Sequence, residues 1–201
     1  MGHTMVIAVP PADLDRLDAI VAAHQADETR WQANAEQDAQ VLDLRGPALR
    51  AVRTRIRIER DNHRESGRHR VTRWRALAPA LYPELERLGI LRDWAPIPEG
   101  EQQAGQTLGG TGPHGGRGLT GRLCLTLPDT LAVPLTRGVY WTNQPHVTAL
   151  QAWADQWGTG PGARRTTTTE ALDERAVLAA RIITTGQILR TALNHTLQNR
   201  P

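Results

Sequence analysis

The chain of 201 residues contains no lysine, no phenylalanine and a single cysteine, Cys124. One cysteine excludes an intramolecular disulfide framework, and without a Cys-x-x-Cys pair or a Cys/His cluster nothing indicates a zinc site. A phosphate-binding loop of the Walker A type needs a lysine, so that class of nucleotide site is excluded too. The codons of both missing amino acids are AT-rich, and a GC-rich genome is the simplest explanation of a lysine-free, arginine-rich chain. The functional alternative is selection for arginine, which binds phosphate bidentately.

Long apolar runs are missing as well. No stretch approaches the roughly 18 apolar residues that a membrane helix needs. Residues 1–15 have no basic n-region and too short an apolar stretch for a secretory signal peptide. From these two absences we expect a cytoplasmic or particle-associated protein without a membrane partner.

Motifs for catalysis, metals or cofactors are also missing. The seven histidines are scattered, and no two stand at the i, i+4 spacing of a helical metal site. Residues 110–115 formally match Gly-x-Gly-x-x-Gly, but no strand pattern precedes them and no helix pattern follows, so we interpret them as a flexible or partner-ordered loop. Cys124 lies in a strand pattern and is interpreted as a small buried hydrophobe. We therefore predict a non-enzymatic protein without catalytic residues, a cofactor or a bound metal.

The first 92 residues have the patterns of an arm followed by helices. Residues 1–10 predict an N-terminal arm, whose apolar end could add a short strand to another element. Residues 11–92 predict a helical region, which begins with an acidic helix and continues into an arginine-rich segment. Within it, residues 50–75 fit either a helix or a two-stranded β-ribbon, and the apolar stripe favours the helix. Gly89 followed by Ile90 indicates a Schellman stop after a third helix.

A long loop and a small sheet are predicted next along the chain. Residues 93–118 are rich in glycine and proline, which is typical of a loop. Leucines that alternate with other residues predict a strand between Arg122 and Leu127. With weaker strands at 131–135 and 138–142, they predict a small antiparallel sheet near 119–142.

Helical patterns fill the rest of the chain. A short helix is predicted from Pro145, and Thr167 to Glu170 has the spacing of a capping box at the start of one long C-terminal helix. Residues 119–201 thus combine the small sheet with two helices, and we expect them to pack on residues 11–92 as one domain. The predicted fold class is α+β and mainly helical.

Charge is strongly segregated along the first 75 residues. Residues 1–44 contain eight acidic and two basic residues, a formal charge of −6, whereas residues 45–75 contain eleven arginines and three acidic residues, a formal charge of +8. A basic stripe on a helix or ribbon, beside a tryptophan that can stack on a base, is typical of nucleic-acid binding. The candidate binding residues are Arg50, Arg53, Arg57, Arg60, Arg64, Arg68, Arg70, Arg73, Arg75 and Trp74.

Two other interpretations of these arginines stay open. Consecutive helices joined by a short turn tend to pack antiparallel, which would put the acidic helix beside the arginine stripe and neutralise it within the fold. An acidic protein partner is the other alternative.

The C-terminal helix carries apolar side chains on more than one face, so it is either central to the fold or shared with another subunit. Trp94 and Trp141 flank irregular regions and are further candidates for interface anchors. The candidate oligomer-interface residues on the C-terminal helix are Val177, Ile182, Ile183, Leu189, Leu193 and Leu197.

Arm, loop, apolar helix and arginine cluster together predict a self-associating structural or assembly protein with an arginine-rich surface. An example of the expected kind of protein is a head, connector or tail subunit of a phage or virus-like particle. We expect a homo-oligomer or larger assembly. The alternative function is a nucleic-acid-binding protein that contacts the phosphate backbone of DNA or RNA through an arginine-rich helix or β-ribbon.

Overall fold

Helices dominate the computed structural model, which describes residues 2–101, 118–158 and 167–199. The described residues contain six α-helices and a small two-stranded antiparallel sheet, so the predicted mainly helical α+β class is confirmed. In chain order the elements are β1 (Gly2–Val9), α1 (Pro11–Asp38), a 3₁₀ helix (Val41–Asp43), α2 (Gly46–Glu65), α3 (Arg73–Arg87), β2 (Gly121–Pro128), α4 (Asp129–Trp157), α5 (Thr169–Ala180) and α6 (Thr185–Gln198).

The two strands of the sheet are more than one hundred residues apart in the sequence. β1 pairs antiparallel with β2, and Met5 lies opposite Leu125 in the register. The segment that we expected to be an arm is therefore one of the two strands. Ile7 and Val9 of β1 are buried with alternate leucines of β2, so one face of this sheet covers the core. Cys124 is on the other face and is exposed, so the expectation of a buried cysteine is wrong.

The strands predicted at 131–135 and 138–142 are wrong, because both segments belong to α4. Leu131 and Leu135 are spaced by four residues and are both buried, which is a helical period. Asp129 in the first turn faces the positive end of the helix dipole. Pro145, predicted to open a short helix, lies inside the same long helix.

The helical expectations for the N-terminal half are confirmed. The segment that could also have been a ribbon is helix α2 up to Glu65. α3 ends in the predicted Schellman motif: Ile90 N–H donates to Leu85 O and Gly89 N–H donates to Glu86 O, both at 2.9 Å. Gly89 has φ +66°, which is the left-handed conformation that this motif needs.

The C-terminal region is helical, but it forms two helices instead of one. Asn143 of α4 accounts for the break: its side chain accepts from Ile183 N at 2.9 Å and donates to Ile183 O at 2.7 Å. Thr184 then starts α6 with a capping box to Gln187. The N-cap of α5 is Thr168, one residue after the position expected, and its side chain accepts from the backbone N–H of Ala171; an alanine at this position has no side-chain group to complete a capping box.

The core lies between the inner face of the sheet and helices α1, α3, α4 and α6. Leu77, Leu81 and Leu85 of α3 pack in it with Leu189 and Leu193 of α6. α2 contributes no side chain to this core. Its single buried residue is Ile56, and the helix packs along α1 as the outer member of a helical hairpin.

Candidate nucleic-acid interface

The arginine-rich helix α2 runs antiparallel to α1. Glu28 contacts Arg64 near the C-terminal end of α2, whereas Ala35 and Ile56 line one cleft nearer to its N-terminal end. This is the hairpin that a short connection between consecutive helices predicts. It places the acidic helix along one side of the arginines and leaves the other sides of α2 to solvent.

Two ion pairs join the acidic helix to the arginine-rich segment. The guanidinium of Arg64 donates to both carboxylate oxygens of Glu28, at 2.5 and 2.6 Å, and Arg73 donates to both oxygens of Asp18, at 2.7 and 2.8 Å. Hydrogen bonding by Arg64 is the main cause that lowers the pKa of Glu28 below its usual value. Intramolecular pairing therefore occupies two of the candidate arginines.

An aromatic cluster fixes the C-terminal end of α2 to α1. Trp31 lies edge-on to His63, with ring centroids 4.7 Å apart, and His63 lies edge-on to His69 at 5.2 Å. His69 is buried, and its burial is the main cause that lowers its pKa, with the charge of His63 second. Within the described ranges, no group of three or more histidine, cysteine, aspartate or glutamate side chains could hold a metal ion.

Four more candidate arginines are held by their own segment. Arg60 lies 3.5 Å from Asp61, and Arg70 donates from Nε to Gly67 O at 3.1 Å. Arg68 lies 3.3 Å from Nε2 of His63. Arg75 donates to the backbone carbonyl of Arg64.

Trp74 is half-buried against the core, and the guanidinium of Arg75 stacks over its ring at 5.2 Å from the centroid. The ring therefore contacts the core and a guanidinium of its own helix. No contact of Trp74 with the exposed arginines of α2 is found among the described residues.

The remaining candidates, Arg50, Arg53 and Arg57, are exposed on the N-terminal part of α2. Arg55 is exposed on the same part of the helix, at the edge of a cleft that Asp38 and Glu59 also line. In residues 2–101, 118–158 and 167–199, no carboxylate lies within ion-pair distance of these four guanidinium groups. From Gly46 to Ile58 the helix carries these four arginines and no acidic residue.

Sequence reasoning missed Arg55 as a candidate because it followed a single stripe at spacings of three and four. Arg55 lies on another side of the helix, about 160° around the axis from Arg53, since each residue turns an α-helix by about 100°. The signal that could have found it was the absence of acidic residues over the whole interval, regardless of face.

Most of the candidate oligomer-interface residues are buried by contacts within this chain. Leu189, Leu193 and Leu197 are buried in the core, and Ile183 packs against it. Several faces of α6 are apolar because α1, α3, α4 and β1 contact it, so packing within the chain accounts for their burial. Ile182 is half-buried. Val177 on α5 is exposed over 54% of its surface.

The two tryptophans expected at an interface hold the segment that follows α3, and Trp141 joins that segment to α4. Trp94 donates from Nε1 to Ile90 O at 2.9 Å, and Trp141 donates from Nε1 to Ala95 O at 2.8 Å. Both rings thus stabilise the segment that follows α3. The glycine-rich part of the predicted loop, residues 102–117, lies outside the described residues.

Comparisons with known proteins found no relative of this chain. No protein family matches the chain, and no curated protein or solved structure matches it. Among the described helices, none is both long and apolar enough to cross a membrane.

Proposed function

We propose that this chain is a non-enzymatic nucleic-acid-binding protein that holds the phosphate backbone with the exposed arginines of α2. The observation that carries the proposal is the set of four arginines, Arg50, Arg53, Arg55 and Arg57, on a helix that lies outside the core. They have neither an ion-pair partner nor an acidic neighbour between Gly46 and Ile58 in the described structure. Guanidinium groups bind phosphate bidentately, and such contacts supply most of the non-specific affinity for nucleic acid.

The other arginines of the segment support this role by fixing the helix. Arg64 and Arg73 are bound to carboxylates of α1, so they anchor the segment and leave the N-terminal part of α2 available. This division explains how an acidic helix and a basic helix can be neighbours without complete neutralisation.

Replacement of two exposed arginines tests the proposal. In the double variant Arg53→Gln and Arg57→Gln, the affinity for a labelled duplex should fall, and it should fall about equally for unrelated sequences because phosphate contacts carry no base information. The matched control is Arg122→Gln with Arg175→Gln, which removes two exposed charges elsewhere and should leave the affinity nearly unchanged. Equal losses in the two double variants would contradict a site on α2.

Self-association is a second candidate function, and the exposed apolar side chain of Val177 on α5 favours it. Val177 is exposed over 54% of its surface, and Ala171 is the one buried residue of this helix. We propose a second copy as the partner. In an antiparallel pair of α5 helices centred on Val177, Asp173 lies level with Arg181 of the second copy, which joins opposite charges around the apolar contact. A subunit of a larger particle, such as a phage head, connector or tail, would use such a contact.

Sedimentation velocity over a range of concentrations tests this candidate. We expect a larger species at high concentration, which Val177→Glu should remove, whereas Glu174→Gln on the same helix should leave it in place. A monomer at every concentration would contradict self-association and would not affect the binding test on α2.

A further inference from the structure

The outward side of α2 has an unusual composition for an exposed helix. Ile56 points into the hairpin, and at about 100° per residue the opposite ridge consists of residues within about 40° of the reverse direction. In the first three turns these are Pro47, Ala51, Thr54 and Ile58, and all four are exposed. Ile58 is exposed over 53% of its surface. The side chains of this ridge are uncharged, whereas the solvent-facing side of a helix normally carries charged residues.

Arginines flank this ridge on both sides. Arg50, Arg53 and Arg57 lie about 60–120° from Ile56 on one side of the helix, and Arg55 lies about 100° from it on the other side. This arrangement of charge around the helix is complementary to a groove whose two walls carry phosphates: the basic flanks face the walls, and the uncharged ridge faces the floor.

We propose that the N-terminal half of α2 inserts into the major groove of duplex DNA. This inference rests on the proposed function and names its substrate class. The major groove of B-form DNA is about 12 Å wide and admits one α-helix, with the side chains of the ridge facing the base edges. The flanking arginines then contact the phosphates along the two walls.

Charge along α2 sets which half enters the groove. The ridge continues with Asp61 and Glu65 in the last two turns, and both are exposed. Carboxylates on this ridge would enter a groove whose two walls carry phosphates, and the repulsion between like charges keeps the C-terminal half outside. The ion pair between Arg64 and Glu28 fastens that half to α1.

The side chains of the ridge suit base edges of one kind. The methyl-bearing side chains of Ala51, Thr54 and Ile58 can contact the C5-methyl group of thymine, which is exposed in the major groove. The hydroxyl of Thr54 can donate or accept one hydrogen bond there.

Duplex RNA and single strands lack the required groove. The major groove of A-form RNA is deep and narrow, so side chains on a helix cannot read it. A single strand offers phosphates but no walls on two sides. Groove insertion therefore favours the DNA duplex over these two ligands, although all three carry the phosphate charge that the arginines attract.

The test compares three probes of one sequence: a DNA duplex, an RNA duplex and a DNA single strand, each about 20 nucleotides long, with the full chain at low salt. We expect the DNA duplex to bind most tightly. Thr54→Trp and, separately, Ala51→Trp fill the groove-facing ridge without a change of charge, and each should weaken binding of the DNA duplex about tenfold or more, through loss of base-edge approach. Binding of the single strand should not change.

Ala26→Trp is the matched control, because Ala26 is exposed on α1 away from the hairpin contact. It should leave all three affinities unchanged, and circular dichroism of each variant verifies the helical fold. Equal affinity for DNA and RNA duplexes, together with no effect of either ridge variant, would overturn groove insertion while phosphate binding stands. Absence of binding to all three probes would overturn the proposed function itself.

Discussion

Glu28 of α1 and Arg64 of α2 are joined by two hydrogen bonds of 2.5 and 2.6 Å, at the end of α2 opposite to its exposed arginines. Glu28 is largely buried, and it also lies 3.9 Å from the ring of His69. The pair thus separates two roles within one basic segment. Arginines near the C-terminal end of α2 hold the hairpin together, and those nearer to its N-terminal end face solvent.

Loss of this ion pair should destabilise the hairpin. In Glu28→Gln the carboxylate that Arg64 binds is absent, and we expect a loss of about 1–3 kcal/mol in the free energy of unfolding, the usual range for a partly buried charged hydrogen bond. Urea denaturation measures it. Asp27→Asn is the control, because its exposed pair with Arg30 at 3.5 Å should contribute less than about 1 kcal/mol. A loss below about 1 kcal/mol for Glu28→Gln as well would contradict a stabilising role of the Glu28–Arg64 pair.

Mild acid should destabilise the fold through His69. Burial and the neighbouring charges of His63, Arg68 and His24 lower the pKa of His69 below 6.5, against the opposing effect of Glu28. The unfolded chain then binds a proton more readily than the folded chain does. The free energy of unfolding should therefore decrease as the pH falls from 6.5 towards the lowered pKa.

The variant His69→Gln separates this effect from general acid sensitivity. Its own stability at neutral pH is not the readout. The expected result is a smaller change in the free energy of unfolding below pH 6.5 than in the unaltered chain, measured by urea denaturation at a series of pH values. The same pH dependence in both chains would mean that another group titrates.

The break between α5 and α6 should depend on Asn143. Its buried amide serves both the N–H and the C=O of Ile183, so Asn143→Ala leaves two backbone groups without partners. We expect a loss of about 1–3 kcal/mol in the free energy of unfolding. Gln151→Ala, which removes an exposed bond to Asp155, should cost less than about 1 kcal/mol. Thermal or urea unfolding of both variants measures the two losses. A loss for Asn143→Ala no larger than that for Gln151→Ala would contradict the role of Asn143.

The sequence predicted the elements that local signals determine. The Schellman stop at Gly89 and Ile90 and the helix that contains Ile56 depend on neighbouring residues, so a window of a few turns is sufficient. The strand at Leu123 also has a local period. Its pairing with β1 could not be predicted, because β1 is more than one hundred residues away and an alternating pattern does not show which strand is the partner.

The errors have related causes. Leu131 and Leu135 fit an alternating pattern and a helical pattern alike, and the packing of α4 on the core decides between them. The apolar faces of α6 indicated burial, but burial in the same chain and burial against a partner leave the same signal at Leu189 and Leu193. The role of the candidate arginines stays a prediction. Only the fold shows which of them, such as Arg64, the acidic helix already occupies.

Salt dependence of DNA binding tests the central claim most directly. With a labelled duplex titrated at several salt concentrations, the logarithm of the binding constant should fall linearly with the logarithm of salt concentration, by about 0.9 in slope for each phosphate neutralised. In the triple variant of Arg50, Arg53 and Arg57 to Gln, the slope should be smaller by about 2–3. A slope that these substitutions leave unchanged, or no binding of the duplex at low salt, would contradict a phosphate-binding surface on α2.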